Sequence, residues 1–522
     1  MIFDARSIPE NQVIETEVCI VGAGAAGISI AREFIGQGFR VCLLESGGLS
    51  FEEDTQSLYE GSNIGLPYFP LQDCRLRYFG GTTNHWFGRC RPLEDLDFEA
   101  RDWIPHSGWP FGKSHLDPYY ERAHTLCQLG PFNYNVELWA DPNSIPPIPF
   151  IGNRVITIIY QYSPPTRFGE VYRDEIAHAD GISTYLHANV VDIETNETGQ
   201  TVTRLRVATL GGNKFWVSAK LFILAASGIE NSRLLLASNK VQREGLGNQN
   251  DLVGRFFMDH PLFFCGVLML TKPGASAALY GANIVNGIKV RGTLSFPEEV
   301  FRREELVNLT FGLRPWRGSK WESTGVRSVS HILQAIRHGE FPKDFWKHVR
   351  NAIADIDDVA IHSYDKLFGQ QVNLYKVLAR IEPVPNPESR VTLAEDSDPL
   401  GMNRVQLNWR LSTKDKRSIR RALEILAEEV GRAGLGRLRI NLDDDDTSWP
   451  SSMTGQHHHM GTTRMHGDPK KGVVDEHCRV YGISNLYVTG SSVFPTFGFA
   501  NPTLTIVALA LRLADHIKEK MA

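Results

Sequence analysis

Residues 15–48 read ETEVCIVGAGAAGISIAREFIGQGFRVCLLESGG, and no other stretch constrains the fold as tightly. An apolar strand over 18–21 runs into the turn Gly22-x-Gly24-x-x-Gly27. A helix follows over 28–35, then a second strand over 41–44 that ends at Glu45. The glycines permit a tight turn, a close approach of backbone N–H groups to a pyrophosphate, and close helix–sheet packing, while the helix N-terminus favours negative charge. Glu45 stands where an acid accepts the ribose hydroxyls of an adenosine, and its charge disfavours a 2′-phosphate. Strand, glycines, helix, strand and acid within one short unit predict a dinucleotide site in a parallel α/β sheet. NAD and FAD share this unit, so it does not choose between them.

The chain has 522 residues, which at roughly 150 per domain gives about three domain-sized units, or two large lobes if segments interleave. With 42% hydrophobic and 22% charged residues it matches an ordinary globular protein. Fifty-five Lys plus Arg against sixty Asp plus Glu leaves a net charge of −5, which offers no basic stripe for nucleic acid or an anionic membrane. A compact, uncharged polyhydroxyl substrate suits that balance. Seven cysteines without CxxC spacing, and a start (MIFDARSIPENQ) with no basic n-region or apolar h-region, predict a reduced, cytoplasmic protein without an export signal of its own. The longest apolar run, 506–511, is far short of the roughly 20 residues that span a bilayer.

Three further segments carry chemistry. Residues 78–92, YFGGTTNHWFGRCRP, hold a glycine pair, small hydroxyl residues, His85 and Trp86; residues 222–236, FILAASGIENSRLLL, are a strand breaking into a helix; and 453–514 contain HHHMGTTRMHG, VTGSSVFPTFGFANPTLT and an apolar helix. With the N-terminal unit, these four pieces resemble, in order, the glucose–methanol–choline (GMC) family of FAD oxidoreductases. The likeness is closest to the branch with pyranose oxidases and glycoside 3-oxidases, through the GG-small-small-x-His-Trp loop, the His-x-x-Gly-Thr run and the Asn-Pro-Thr-Leu-Thr run. Where much of the family has an Asp near the flavin, this chain has Gly490-Ser491-Ser492, as the sugar-oxidising branch tends to.

The resemblance implies FAD as cofactor and a base and an orienting residue for alcohol oxidation. Counting back three from Gly461 selects His458 as the base; histidine suits the role because its unperturbed pKa near roughly 6.5 keeps it largely neutral at physiological pH. Asn501 is the matching partner, and with Pro502 it also reads as N-cap and N1 of the last helix. Glu382 corresponds to a glutamate that in several relatives hydrogen-bonds this pair. The family's FAD contacts map onto Gly22, Gly24, Gly27, Glu45, Gly81, Thr82, Asn84, His85, Trp86, Val191, Ala226, Gly490, Ser491, Asn501 and Thr503. In pyranose oxidases the counterpart of His85 bonds covalently to the flavin, and in other relatives it does not; both stay open. Adjacent side chains of His457, His458 and His459 point apart, so no metal site is expected.

These pieces predict an α/β fold: a Rossmann-like FAD lobe assembled from 1–100, 180–262 and 451–522, and a sheet-based α+β substrate lobe from 101–179 and 263–450. Residues 320–370 read as a helical insertion. The expected function is oxidation of a secondary hydroxyl, C2 or C3, of a sugar or glycoside to a ketone, with oxygen or another carrier as electron acceptor. An FAD dehydrogenase for a non-sugar alcohol or polyol, and a flavin-bearing electron-transfer subunit, are the alternatives. Partners are a small-molecule substrate, no nucleic acid, no membrane span, and a homo-oligomer left open.

Overall fold

A computed structural model describes residues 1–522 apart from 142, 273–274, 317–323, 338–341, 343–344, 355–372, 444 and 446–447. The N-terminal unit folds as its spacing predicts. Strands Val18–Val21 and Val41–Leu44 flank helix Ala25–Glu33 and pair in parallel. They sit inside a six-stranded parallel sheet in the order Ile2–Asp4, Ile182–Leu186, Val41–Leu44, Val18–Val21, Leu221–Leu224, Leu486–Val488. Val18–Val21, Val41–Leu44, Leu221–Leu224 and Leu486–Val488 are buried along their whole length. That is why they read as continuous apolar runs, since a parallel sheet is covered on both faces. Strands spread from residue 2 to residue 488 thus share one sheet, and all their carboxyl ends open toward one side, where ligands of such sheets bind.

The second lobe is built on an antiparallel sheet in the order Gly436–Ile440, Leu262–Leu270, Asn373–Ile381, Leu309–Pro315, Ile288–Ser295, Ile156–Tyr162, Arg89–Cys90. Helix Thr413–Arg432, opened by a Ser412/Asp415 capping box, buries the stripe Ile419, Ala422, Leu423, Leu426 and Val430 in this lobe's own core. The apolar core under the parallel sheet is separate.

The lobes divide differently from the expected 101–179 boundary. Helix Asp117–Leu126 packs on the C-terminal helix Thr503–Met521, with Tyr120 Oη 2.9 Å from Thr505 Oγ1 and Arg122 paired to Asp515 at 2.6 Å. It belongs with the nucleotide lobe because that helix buries its apolar face of Tyr120, Ala123 and Leu126 there. Conversely Arg89–Cys90, inside the expected 1–100 segment, is the edge strand of the substrate sheet. Within 320–370, helices Thr324–Arg337 and Phe345–Ala354 pack against each other; 320–323, 338–341, 343–344 and 355–370 lie outside the described residues. No helix among the described residues is long and apolar enough to cross a membrane.

Candidate active site

A cavity of about 810 Å³ runs between the two lobes. At one end it is lined by Gly22, Gly24, Glu45, Gly81, Thr82, His85, Trp86, Ala226, Gly490, Ser491 and Thr503, and it continues past His458 and Asn501 to the antiparallel sheet. The glycines show what that end accommodates. A Cβ at Gly27 would lie 1.9 Å from the Gly22 carbonyl oxygen, so Gly27 is demanded by helix–sheet contact and does not line the cavity. Gly22 has φ +100°, and a Cβ there would meet the Ala225 carbonyl at 2.8 Å. Gly24 has open space around it, into which a Cβ would project. It is the N-cap of helix Ala25–Glu33 and brings no side-chain cap, so a ligand can reach the helix's first amides. This cradle fits the pyrophosphate of FAD. Glu45 stands beside it, one oxygen accepting from Ala23 N at 2.9 Å and the other from Gly47 N at 3.0 Å.

Three expected contacts are placed otherwise. Asn84 turns away from the cavity to donate to the Phe79 carbonyl at 2.8 Å, shaping the loop. Val191 is buried off the cavity, which is lined instead by Ala188, Asn189 and Val190. Glu382 touches neither His458 nor Asn501: one oxygen accepts from Phe497 N (2.7 Å) and Gly498 N (2.9 Å), the other from Arg101 Nη2 (2.8 Å). The buried Arg101 guanidinium and two amides claim the carboxylate before His458 or Asn501 can. His85 lines the cavity, with burial lowering its pKa, and Trp86 donates its indole N–H to the Thr166 carbonyl at 2.8 Å.

His458 and Asn501 face each other, with Asn501 Nδ2 donating to His458 Nε2 at 3.3 Å. Their orientations follow from partners that sequence reasoning missed. Arg380, on strand Asn373–Ile381, donates to Asn501 Oδ1 at 2.6 Å, so the amide must turn its NH₂ toward His458. Asn501 therefore does not cap the last helix, which begins at Thr503 with Pro502 as N-cap. On the other side, His260 Nδ1 lies 2.9 Å from His458 Nδ1, and His260 Nε2 lies 3.1 Å from the Gly498 carbonyl oxygen. A carbonyl only accepts, so His260 carries its hydrogen on Nε2. Its Nδ1 is then the acceptor, and His458 must donate from Nδ1. The lone pair of His458 is left on Nε2, toward Asn501.

Burial holds both imidazoles neutral by pushing their pKa values well below the ordinary range. Arg380 adds to this for His260, and His260 and then Arg380 add to it for His458. Asp259 fixes the backbone of the loop: its buried carboxylate accepts from Gln456 N (2.9 Å), His458 N (3.1 Å) and the Tyr68 hydroxyl, while burial raises its pKa to about 6. Asp259, His260 and His458 offer donor atoms within 4.8 Å of one another, but these hydrogen bonds already engage all three. The flanking histidines diverge, His457 edge-on to Phe69 at 4.5 Å and His459 Nε2 3.1 Å from the Tyr68 hydroxyl.

The signal for His260 is only the tripeptide Asp259-His260-Pro261, and nothing in the sequence pairs it with a residue 198 positions away. Arg380 sits in a strand pattern that could equally face solvent.

Residues 385–510 match the family model described as GMC oxidoreductase. The chain is 24% identical to a 2-methyl-1,2-propanediol dehydrogenase of Mycolicibacterium austroafricanum over 97% of its length and 96% of the relative's. It is likewise 24% identical to the fructose dehydrogenase large subunit of Gluconobacter japonicus, over 97% and 98%. Pyridoxine 4-oxidase from Mesorbium loti superposes with a TM-score of 0.56 at 18% identity, over 97% of this chain and 99% of that one. A nucleotide cradle joined to a histidine–asparagine pair on this two-lobed α/β fold makes the protein an FAD-dependent oxidoreductase acting on CH–OH groups. Its likeness to the GMC oxidoreductase family lies in the match over residues 385–510, and the two relatives and the solved structure resemble it over nearly their whole length.

Proposed function

We propose that the protein oxidises a secondary ring hydroxyl, at C2 or C3 of a sugar or glycoside, to a ketone, with His458 as the base. The observation that carries the proposal is the chain Gly498 carbonyl, His260, His458, Asn501, which presents an unprotonated Nε2 to the cavity. FAD, held by Gly22, Gly24, Glu45, Gly81, Thr82, Ala226, Gly490, Ser491 and Thr503, supplies the acceptor for the hydride that leaves the carbinol carbon. A hydroxyl entering between His458 and Asn501 gives its proton to Nε2 while Asn501 Nδ2 donates to its oxygen. The imidazolium that forms keeps its Nδ1 proton on His260, a neutral acceptor. Arg380 holds the Asn501 amide so that only its NH₂ faces the alcohol.

The sugar assignment rests on the motif likeness to the sugar-oxidising branch, and the name of the fructose dehydrogenase relative agrees with it. The diol dehydrogenase relative favours a small non-sugar diol as the second reading. Anaerobic mixing of the yellow holoenzyme with methyl glucosides, fructose and 2-methyl-1,2-propanediol separates the two, because the true substrate bleaches the flavin. His458→Ala is expected to slow that bleaching by at least about 10²-fold, as for loss of a general base. An unchanged rate in His458→Ala removes the mechanism.

A further inference from the structure

The substrate half of the cavity is lined by one face of the antiparallel sheet. Alternate positions point into it: Lys289, Arg291 and Thr293 on one strand, Thr310, Gly312 and Arg314 on the next, and Leu378 and Arg380 on a third. Arg89, on the edge strand Arg89–Cys90, joins them. Five cationic side chains therefore face one chamber. The carboxylates that line the cavity are Glu45, Glu230 and Asp398. Glu45 is at the glycine turn, while Glu230 is paired with Arg75, Arg77 and Arg233, and Asp398 with Arg233. Among the described residues, none of the five cations makes an ion pair.

What they touch instead is neutral. Arg380 donates to the amide oxygens of Asn501 and Gln456, and Arg291 to the carbonyls of Tyr280 and Leu313. Arg89 lies over the Tyr160 ring at 3.7 Å with its buried Nε unpartnered, and Lys289 lies over the Tyr162 ring at 4.9 Å. Exposure grades along the row: Arg380 is buried, Arg89 and Arg291 half-buried, and Lys289 and Arg314 exposed. The crowding is unfavourable for the protein alone. Burial, followed by repulsion from Arg89, lowers the pKa of Arg380 to about 10, and burial depresses Arg291, with Arg89 and Arg314 adding to the effect.

A neutral glycoside would leave these charges uncompensated in a cleft whose lining of one sign focuses the field, most strongly at its buried end beside Arg380. The cofactor's phosphates belong to the Gly22–Gly24 turn on the other sheet and do not answer them. We infer that the alcohol this enzyme oxidises carries an anionic group, a carboxylate or a phosphate, that lies against Arg89, Arg291, Lys289 and Arg314 while its hydroxyl reaches His458. The net charge of −5 conceals this, because the acids that outnumber the bases lie elsewhere on the chain. The inference rests on the alcohol-oxidation reading above and narrows its substrate.

The test titrates oxidised holoenzyme with matched pairs, methyl β-glucuronide against methyl β-glucoside and glucose 6-phosphate against glucose, following the perturbation of flavin absorbance, and then measures anaerobic flavin reduction. At low salt the anionic member of at least one pair is expected to bind at least about tenfold tighter, with the advantage shrinking as salt screens it. The two pairs tell carboxylate from phosphate. Arg89→Gln and the double variant Lys289→Gln/Arg314→Gln should erase the advantage and leave affinity for the neutral member unchanged. Equal affinities in both pairs, no binding by either anion, or an advantage that survives the variants overturns the inference. Neutral members that bleach the flavin as well as the anions leave alcohol oxidation standing without it. Tight, salt-sensitive anion binding with no bleaching by any member sinks the oxidation reading and keeps the anion site.

Discussion

Replacing His260 by Phe tests whether the tautomer of the base is imposed by its neighbour. The ring already lies edge-on to Phe497 with centroids 4.6 Å apart, so a phenyl group of similar outline fits the pocket. Two hydrogen bonds go: His458 Nδ1 loses its acceptor at 2.9 Å and the Gly498 carbonyl loses its donor at 3.1 Å. The first matters for rate, because in the proposed mechanism His458 becomes a cation as it takes the hydroxyl proton and its Nδ1–H bond is then charge-assisted. Such a bond contributes about 1.5–3 kcal/mol, and with about 1.36 kcal/mol per tenfold in rate the substitution should slow flavin reduction by roughly 10- to 150-fold. His260→Gln, whose amide can donate to Gly498 and accept from His458, should recover part of the loss. Anaerobic stopped-flow at saturating substrate measures both, with thermal melts to show that the variants remain folded. A His260→Phe enzyme that reduces its flavin at the parent rate would refute the tautomer argument, and equal losses in the Phe and Gln variants would reduce His260 to packing.

Other outcomes follow from the same geometry. Because the pKa of His458 is pushed well below its usual value, the reduction rate should be flat at and above about pH 6.5 and fall only at more acidic pH, where the base protonates; a fall centred above pH 7 contradicts the burial argument. Gly24→Ala should fold normally yet lose FAD affinity by at least about tenfold, its methyl entering the cavity, whereas Gly27→Ala should lower the melting temperature of the apoprotein through its 1.9 Å clash; fluorescence titration of FAD and apoprotein melts distinguish them. Burial pushes the pKa of Glu230 up, but Arg233, Arg75 and Arg77 outweigh it and bring it to about 2, below the unfolded value near 4.5. Its stabilisation is therefore present above about pH 4.5 and lost as pH falls toward 2. Glu230→Gln should cost about 3–5 kcal/mol at neutral pH by stranding buried guanidinium groups, with the gap to the parent protein closing in acid; a pH-independent gap in denaturant melts argues against the charge cluster.

Local rules reach a definite depth in this chain. The nucleotide turn was legible because strand, glycines, helix and acid lie within 34 consecutive residues, and Gly27 answers to Gly22 five positions earlier, although Gly22 itself answers to the distant Ala225. The stripe on helix Thr413–Arg432 was legible for the same reason, since a 3.6-residue period needs no knowledge of what it packs against. The choice of His458 among three histidines came from a motif count, and the structure shows how the three diverge once Phe69, His260 and Tyr68 have each taken one.

What only the tertiary structure decided is pairing at a distance. Glu382 directly follows strand Asn373–Ile381, but a buried Arg101 281 positions earlier claims it, and no local pattern ranks that partner above His458. Asn501 before Pro502 has every mark of a helix cap, yet the Arg380 guanidinium draws its oxygen away. The row of cations was invisible for a related reason: Lys289, Arg291, Arg314 and Arg380 look like solvent-facing residues of separate strands until registry in one antiparallel sheet turns them onto a single face. Sequence by itself determined the elements that hydrogen bonds and periodicity build within a few turns. The orientation of the proposed base, the dipole of its partner and the charge of the chamber depend on Coulomb and hydrogen-bond contacts between residues that only the closed fold brings together.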